Sequence, residues 1–242
     1  MRIGDLEVGR LGFGAMRLCG PGIWGEPADP ENALRVLRRA VELGIALIDT
    51  SDAYGPEVNE RQIAEALHPY PEGLVIATKG GFLRPGPGRW SADGRPEHLR
   101  EACEGSLRRL RLERIDVYQL HTPDPAVPLA ESVGALGELR DEGKIRHVGL
   151  SNVSVGQLEE AERIVPVVSV QNRYSVADRE GEDVLGACEA RGIPFLPWGP
   201  LGSGSLDPVR ALRFLLERSP VILPIPGTSS VEHLEENVRA VI

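Results

Sequence analysis

Eight short apolar runs rich in strand formers recur along the chain at intervals of roughly 20 to 35 residues. They occupy residues 11–16 (LGFGAM), 46–50 (ALIDT), 74–79 (LVIATK), 115–121 (IDVYQLH), 145–151 (IRHVGLS), 167–172 (VVSVQN), 193–199 (IPFLPWG) and 221–227 (VILPIPG). Between them lie stretches with helical spacing: Leu34, Leu37 and Val41 with Arg35, Arg38 and Arg39 turned outward, or Leu99, Cys103, Leu107 and Leu110 among Arg and Glu. Near-continuous apolar strands are covered on both faces, and strict alternation with helices makes them parallel. Eight such units predict an α/β protein of the (β/α)8 TIM-barrel type. Such barrels run to about 250 residues, so the 242 residues are expected to form one domain, 1–242. A doubly wound open sheet is the alternative, and the count of eight favours the barrel.

Two stretches depart from a plain barrel. The opening RIGDLEVGRLGFG carries turn signals between short apolar pieces and predicts an N-terminal β-hairpin ahead of the first barrel strand, placed to plug its bottom. Residues 80–96 (GGFLRPGPGRWSADGRP) read as a Gly- and Pro-rich loop on the rim where barrels keep their chemistry.

Composition narrows the function classes. With 41% hydrophobic and 26% charged residues the chain is globular, and its net charge of -9 speaks against nucleic acid, whose binders display basic surfaces. Three scattered cysteines, Cys19, Cys103 and Cys188, form neither a disulfide framework nor a zinc pattern. No metal is expected. With no signal-peptide pattern and no apolar run near the roughly 20 residues of a membrane span, the expected location is the cytoplasm, with no membrane partner.

Active-site groups of a barrel gather at the C-terminal ends of its strands. Asp49 closes the second run, with Tyr54 shortly beyond; Lys79 closes the third and His121 the fourth. An ammonium behind an apolar strand needs a counter-charge, and Asp49 on the adjacent strand can provide it. Lys79 would then favour the phenolate of Tyr54 and draw its pKa below the ordinary value of about 10. His121 can orient a substrate carbonyl. A rival pairing of Asp49 with Asp52, as in a hydrolase, leaves Lys79 unexplained.

Later strand ends carry different chemistry. Ser151, Asn152 and Gln171 offer uncharged donors and acceptors suited to a carboxamide, and Trp198 presents a flat ring at the same mouth. Residues 199–204 (GPLGSG) and 224–230 (PIPGTSS), with the start of a helix at Val231, supply N–H groups and hydroxyls for phosphate. Gly12 and Gly14 make a G-x-G with no third glycine opening a helix, so no Rossmann fingerprint is present.

Taken in order, LGFGAMRL, LIDTSDAYG, TKGG, DVYQLHTPDP, GKIRHVGLSN, SVQNRYS, PWGPLGSG and PIPGTSSVEHLEENV resemble the aldo-keto reductase family along nearly the whole chain. The resemblance implies a barrel that binds NADPH in extended form and reduces aldehydes and ketones to alcohols. It matches Asp49, Tyr54, Lys79 and His121 to the family's catalytic four, with Tyr54 as proton donor. Ser151, Asn152 and Gln171 match the nicotinamide carboxamide contacts, and Trp198 the ring that stacks on the nicotinamide. Gly199, Pro200, Leu201, Gly202, Ser203, Ile225, Gly227, Thr228, Ser229 and His233 fall in the phosphate-binding stretches, and Glu236 and Asn237 match the adenine contacts.

Departures from the family pattern carry their own expectations. Where many members hold a lysine and an arginine near the adenosine 2′-phosphate, this chain has Gly227 and His233, so weaker NADPH preference and some use of NADH are expected. The stretch after Gly204 and the C-terminal stretch ending at Ile242 are shorter than the family's, which predicts faster cofactor exchange and a broad pocket. Trp24, Phe82 and Trp90 are candidate walls for a small-molecule carbonyl substrate. A monomer or small homo-oligomer is expected, and a nucleotide-binding redox sensor with little turnover is the alternative function.

Overall fold

The computed structural model describes residues 1–241, with Ser203 described as backbone only, so the expected contribution of the Ser203 side chain lies outside the described residues. The expected hairpin opens the chain, β1 (Arg2–Ile3) pairing antiparallel with β2 (Leu6–Glu7). Barrel strands β3 (Phe13–Gly14), β4 (Leu47–Asp49) and β5 (Val75–Gly80) follow. A second hairpin, β6 (Phe82–Gly86) with β7 (Arg89–Ala92), leads to β8 (Ile115–Leu120), β9 (Ile145–Ser151) and β10 (Val167–Gln171). The six barrel strands pair in parallel in the order β10-β9-β8-β5-β4-β3.

The seventh and eighth apolar runs reach the ring as single bridges rather than continuous ladders. Phe195 bridges Val170 on one side and Ile222 on the other. The Leu196 N–H donates to the Val170 carbonyl at 2.8 Å and the Leu223 N–H to the Phe195 carbonyl at 2.9 Å. The ring closes where Gly12 N–H meets the Pro224 carbonyl at 2.9 Å and Gly14 N–H the Pro226 carbonyl at 3.3 Å. Pro194, Pro197, Pro224 and Pro226 have no N–H to give, so rungs are missing where a regular ladder would place them.

One helix follows each barrel segment: α1 (Pro30–Glu42), α2 (Val58–Leu67), α3 (Pro96–Leu110), α4 (Leu129–Asp141), α5 (Val155–Glu162), α6 (Glu182–Arg191), α7 (Pro208–Arg218) and α8 (Val231–Arg239). Their starts are written in the sequence. Asp29 caps α1 by accepting the Asn32 N–H at 2.9 Å, with Pro30 preset for the first turn. Ala33, Leu34, Val36, Leu37 and Ala40 form its buried stripe. Burying one such leucine or valine is worth roughly 1.5–3 kcal/mol.

The barrel interior holds Leu47, Val75, Ala77, Val117, Leu196, Leu223 and Ile225, continuous with Ile3 and Val8 from the hairpin region. The hairpin therefore closes the bottom, as expected. Asp5 at its tip pairs with Arg146 and lies 2.5 Å from Nε2 of His147, two residues at the start of β9. Those two partners hold the Asp5 carboxyl down at about 2. Gly4 (φ +60) permits the approach, since a Cβ there would stand 2.6 Å from the His147 ring.

Residues 82–92, expected as loop, form the β6–β7 hairpin. Its turn is the Pro87-Gly88 step, with Gly88 at φ +66, and Phe82 faces Ala92 and Leu83 faces Ser91. Arg84 ties it to the rim by donating to the carbonyls of Ala53 (2.7 Å) and Gly22 (3.0 Å), and braces the hairpin itself by donating to the Arg89 carbonyl (3.0 Å). Among the described residues no helix is long and apolar enough to cross a membrane.

Candidate active site at the rim of the barrel

The four residues at the ends of the second to fourth strands come together. Lys79 donates to Asp49 Oδ2 at 2.7 Å, to the Thr50 carbonyl at 2.8 Å and to the Tyr54 hydroxyl at 3.3 Å, so all three ammonium hydrogens have acceptors. Asp49 Oδ1 in turn accepts from Gln171 Nε2 at 2.8 Å and Gln119 Nε2 at 3.0 Å. Gln119 was not anticipated; its signal is a polar residue inside the otherwise apolar run 115–121.

Electrostatics assign a protonation state to three of the group. Burial weakens the Lys79 ammonium, but Asp49 and Tyr54 together outweigh it and hold the lysine above its ordinary value. Burial likewise pushes the Tyr54 phenol up, and the Lys79 ammonium offsets this only in part. The expected net lowering of Tyr54 is thus corrected: desolvation of a phenolate exceeds the attraction of one ammonium already shared with Asp49. Burial, then Lys79 and Arg84, hold His121 well below the usual imidazole value, so it is neutral near pH 7.

Tyr54 and His121 open into a cavity of about 770 Å³, within the roughly 300–1,000 Å³ usual for ligand and cofactor sites. Phe82 and Trp90 from the second hairpin wall it beside them. Ring centroids lie 4.6 Å apart for Phe82 and His121, 5.4 Å for Phe82 and Trp90, and 6.3 Å for Tyr54 and Trp90, all edge to face. Trp24 is not among the residues lining the cavity; it bridges Gly55 and stands 5.7 Å from the Arg84 guanidinium. Arg84 itself stacks on Trp90 at 3.7 Å.

The cavity continues past Ser151, Asn152, Gln171 and Trp198. Asn152 (φ +58) donates to the His121 carbonyl at 3.0 Å and accepts the Trp198 indole N–H at 2.9 Å, which fixes the ring at the mouth. Gly199, Pro200 and Leu201 line the next stretch, whereas Gly202 does not. Ile225, Gly227, Thr228, Ser229, His233, Glu236 and Asn237 line the far end. There Ser230 caps α8 by accepting the His233 N–H at 3.1 Å, leaving the positive end of the helix toward the cavity. Asn237 is 2% exposed, and its Oδ1 is buried without a hydrogen-bond partner among the described residues.

One charged cavity residue lies outside the strand-end pattern of the sequence. Arg17 lines the cavity beside Gly227, and its Cγ would lie 3.5 Å from a Cβ at that position. The same Cβ would meet the Gly14 carbonyl at 2.5 Å, so the seam between the first and eighth strands admits glycine and little else at 227. The cation at this point comes from the first strand's loop instead. Only the adjacency of residues 14 and 227 reveals it.

The sequence model of the aldo/keto reductase family matches residues 10–211. The chain is 50% identical over 257 residues to an uncharacterized oxidoreductase of Schizosaccharomyces pombe, covering 99% of this chain and 84% of the relative. It is 41% identical over 261 residues to pyridoxine 4-dehydrogenase of Escherichia coli, covering 98% and 91%. Among solved structures it is similar to an aldo-keto reductase of Klebsiella pneumoniae in complex with NADPH, with a TM-score of 0.78, 26% identity and coverage of 97% and 86%. The chain belongs to the aldo/keto reductase family and is an NAD(P)H-dependent oxidoreductase.

Proposed function

We propose that the protein reduces aldehydes and ketones to alcohols with NADPH, with Tyr54 as proton donor, and that its acceptors are flat, aromatic carbonyl compounds. The observation that carries the reading is the chain Asp49–Lys79–Tyr54, at 2.7 Å and 3.3 Å, ending in a phenol that lines the cavity. Bound NADPH supplies the hydride. Tyr54 holds a proton at neutral pH and gives it to the carbonyl oxygen, while the Lys79 ammonium lowers the cost of the phenolate left behind. Neutral His121 orients the same oxygen, and Phe82 and Trp90 exclude water around it.

The far end of the cavity fits the cofactor. The Oδ1 of Asn237, without a partner among the described residues, suits a donor such as the adenine amino group, with Glu236 beside it. Thr228, Ser229 and the start of α8 suit a phosphate, and Arg17 supplies a charge for the pyrophosphate. Gln171, already donating to Asp49, keeps its carbonyl oxygen for the nicotinamide carboxamide, with Ser151 and Asn152 nearby and Trp198 set to stack. Since neither Gly227 nor His233 provides a fixed charge for the 2′-phosphate, NADH serves as a weaker substitute.

Edge-to-face rings around Tyr54 and His121 suit a planar acceptor. Similarity to pyridoxine 4-dehydrogenase supports the pyridoxal/pyridoxine pair as a first candidate. The test follows loss of NADPH absorbance with a panel of aromatic aldehydes, pyridoxal, aliphatic aldehydes, ketones and quinones. Turnover of aromatic aldehydes, abolished in Tyr54→Phe with NADPH affinity kept, supports the proposal. Near-normal turnover in that variant, or tight NADPH binding with no turnover of any carbonyl, refutes it.

A further inference from the structure

Ser51 and Asp52 lie within the stretch 47–55 but outside the proton-donor chain. Ser51 is fully buried, and its Oγ lies 3.1 Å from Nδ1 of His121, 3.0 Å from Oδ1 of Asp52 and 3.3 Å from the carbonyl of Lys79. The Ala53 N–H donates to the same oxygen at 3.1 Å. A hydroxyl has one hydrogen to give and two lone pairs. Ala53 occupies one lone pair, so what Ser51 does with its hydrogen decides what its other neighbours must do. His121 lines the cavity, and among the described residues its second ring nitrogen, Nε2, has no hydrogen-bond partner.

We propose that Ser51 and Asp52 are positioning residues that select which nitrogen of His121 carries its hydrogen, and thereby whether His121 can donate a hydrogen bond to the substrate oxygen. This rests on the reading of His121 as the group that orients that oxygen. An ionised Asp52 draws the Ser51 hydrogen to Oδ1, because a bond to a carboxylate is the stronger choice. Ser51 then accepts from Nδ1–H, and Nε2 is left bare. A protonated Asp52 releases the Ser51 hydrogen to Nδ1, and Nε2 carries the hydrogen as a donor. One proton enters, at Asp52. The imidazole is neutral in both states, its hydrogen changing nitrogen by exchange with water.

The surroundings let Asp52 switch in a useful range. Glu60 faces it from α2, Arg109 from α3 and Tyr118 from β8, and the Glu57 N–H at the α2 cap donates to its carbonyl at 2.7 Å. Burial and then Glu60 push its carboxyl up to about 7, against the Ser51 hydroxyl and Arg109. Arg109 is itself held by Glu60 at 2.6 Å and Glu57 at 3.2 Å, which limits its pull on Asp52. Around His121 the facing groups are Lys79 of β5, Arg84 of β6 and the Tyr54 phenol, and the two cations help keep it neutral throughout. Asp52 is partly exposed and so exchanges its proton with solvent directly.

Histidine-selective 15N NMR of the full-length protein tests this, with His121→Asn used only to assign the signal. The expected result is hydrogen on Nε2 at pH 5.5 and on Nδ1 at pH 8.5 in the wild type, with no change of nitrogen in Asp52→Asn or Ser51→Ala. The same nitrogen protonated at both pH values in the wild type, or a switch that survives in Asp52→Asn, overturns the proposal. The wild-type series depends on no variant folding. In parallel, kcat/KM for aldehyde reduction is expected to fall roughly tenfold or more from pH 5.5 to 8.5 relative to Asp52→Asn. A switch of nitrogen that kcat/KM does not follow overturns the role of His121 at the substrate, while Tyr54→Phe separately tests the proton donor.

Discussion

The ammonium of Lys79 meets the carboxylate of Asp49 at 2.7 Å, with side chains 0% and 4% exposed. Each charge is tolerable there only because of the other. Lys79→Met leaves a buried carboxylate with two glutamine donors, and Asp49→Asn leaves a buried ammonium; each is expected to destabilise the fold by about 3–5 kcal/mol. The double variant should cost clearly less than the two singles together, a coupling read by urea unfolding. Turnover in Lys79→Met should drop by about 10²–10⁴-fold, because the cation that most lowers the Tyr54 pKa is gone. Additive stabilities, or turnover within a factor of two of wild type, would contradict the assignment.

Arg17 lines the cavity beside Gly227, where the ends of the first and eighth strands meet. On the proposed reading of the cavity, a cation there would face the pyrophosphate of the cofactor. Arg17→Ala is expected to raise the dissociation constants of NADPH and NADH alike by roughly tenfold or more, measured by quenching of tryptophan fluorescence. Loss confined to NADPH would move Arg17 to the 2′-phosphate. Gly227→Lys, the substitution that imitates other family members, should weaken binding, since its Cβ meets the Gly14 carbonyl at 2.5 Å.

Much of the site was legible because a barrel converts strand order into position: Asp49, Lys79 and His121 each follow an apolar run, so their meeting required only that the runs be neighbours. What depends on contact between distant segments was not. Arg84 reads as one more loop arginine until its bonds to Gly22 and Ala53 are seen. Gly86, Pro87 and Gly88 made residues 82–92 look structureless, although they are the turn that lets Phe82 and Ala92 pair. The runs at 193–199 and 221–227 were legible as strands, but their prolines leave only bridges. The direction of the Tyr54 shift depends on how deeply the phenol is buried, a quantity no local pattern carries.

Arg84 offers a test of the acceptor pocket separate from the cofactor. It holds the β6–β7 hairpin by three carbonyls and stacks on Trp90 at 3.7 Å. In Arg84→Ala the wall formed by Phe82 and Trp90 should loosen, raising KM for aromatic aldehydes roughly tenfold with NADPH affinity unchanged. Arg84→Lys should not restore it, because a single ammonium cannot span three acceptors and lie flat on an indole. Unchanged KM in both variants would show that the hairpin does not shape the acceptor site.

Asp52 should make stability depend on pH in a direction opposite to that of a salt-bridged carboxylate. An aspartate in the unfolded chain titrates near about 3.9, whereas Asp52 in the fold is pushed up to about 7. Between those values the folded protein holds a proton that the unfolded chain has released. The contribution is therefore complete below about pH 4 and is lost as pH rises through about 7. A shift of that size would be worth about 4 kcal/mol if the group were sealed, and its partial exposure reduces this to about 1–2 kcal/mol. Asp52→Asn removes the penalty, so the variant should gain about 1–2 kcal/mol over wild type at pH 8.5 relative to its difference at pH 4.5. Urea unfolding of both proteins at the two pH values measures it. A difference that stays constant between them would mean that Asp52 titrates in the fold as it does in the unfolded chain.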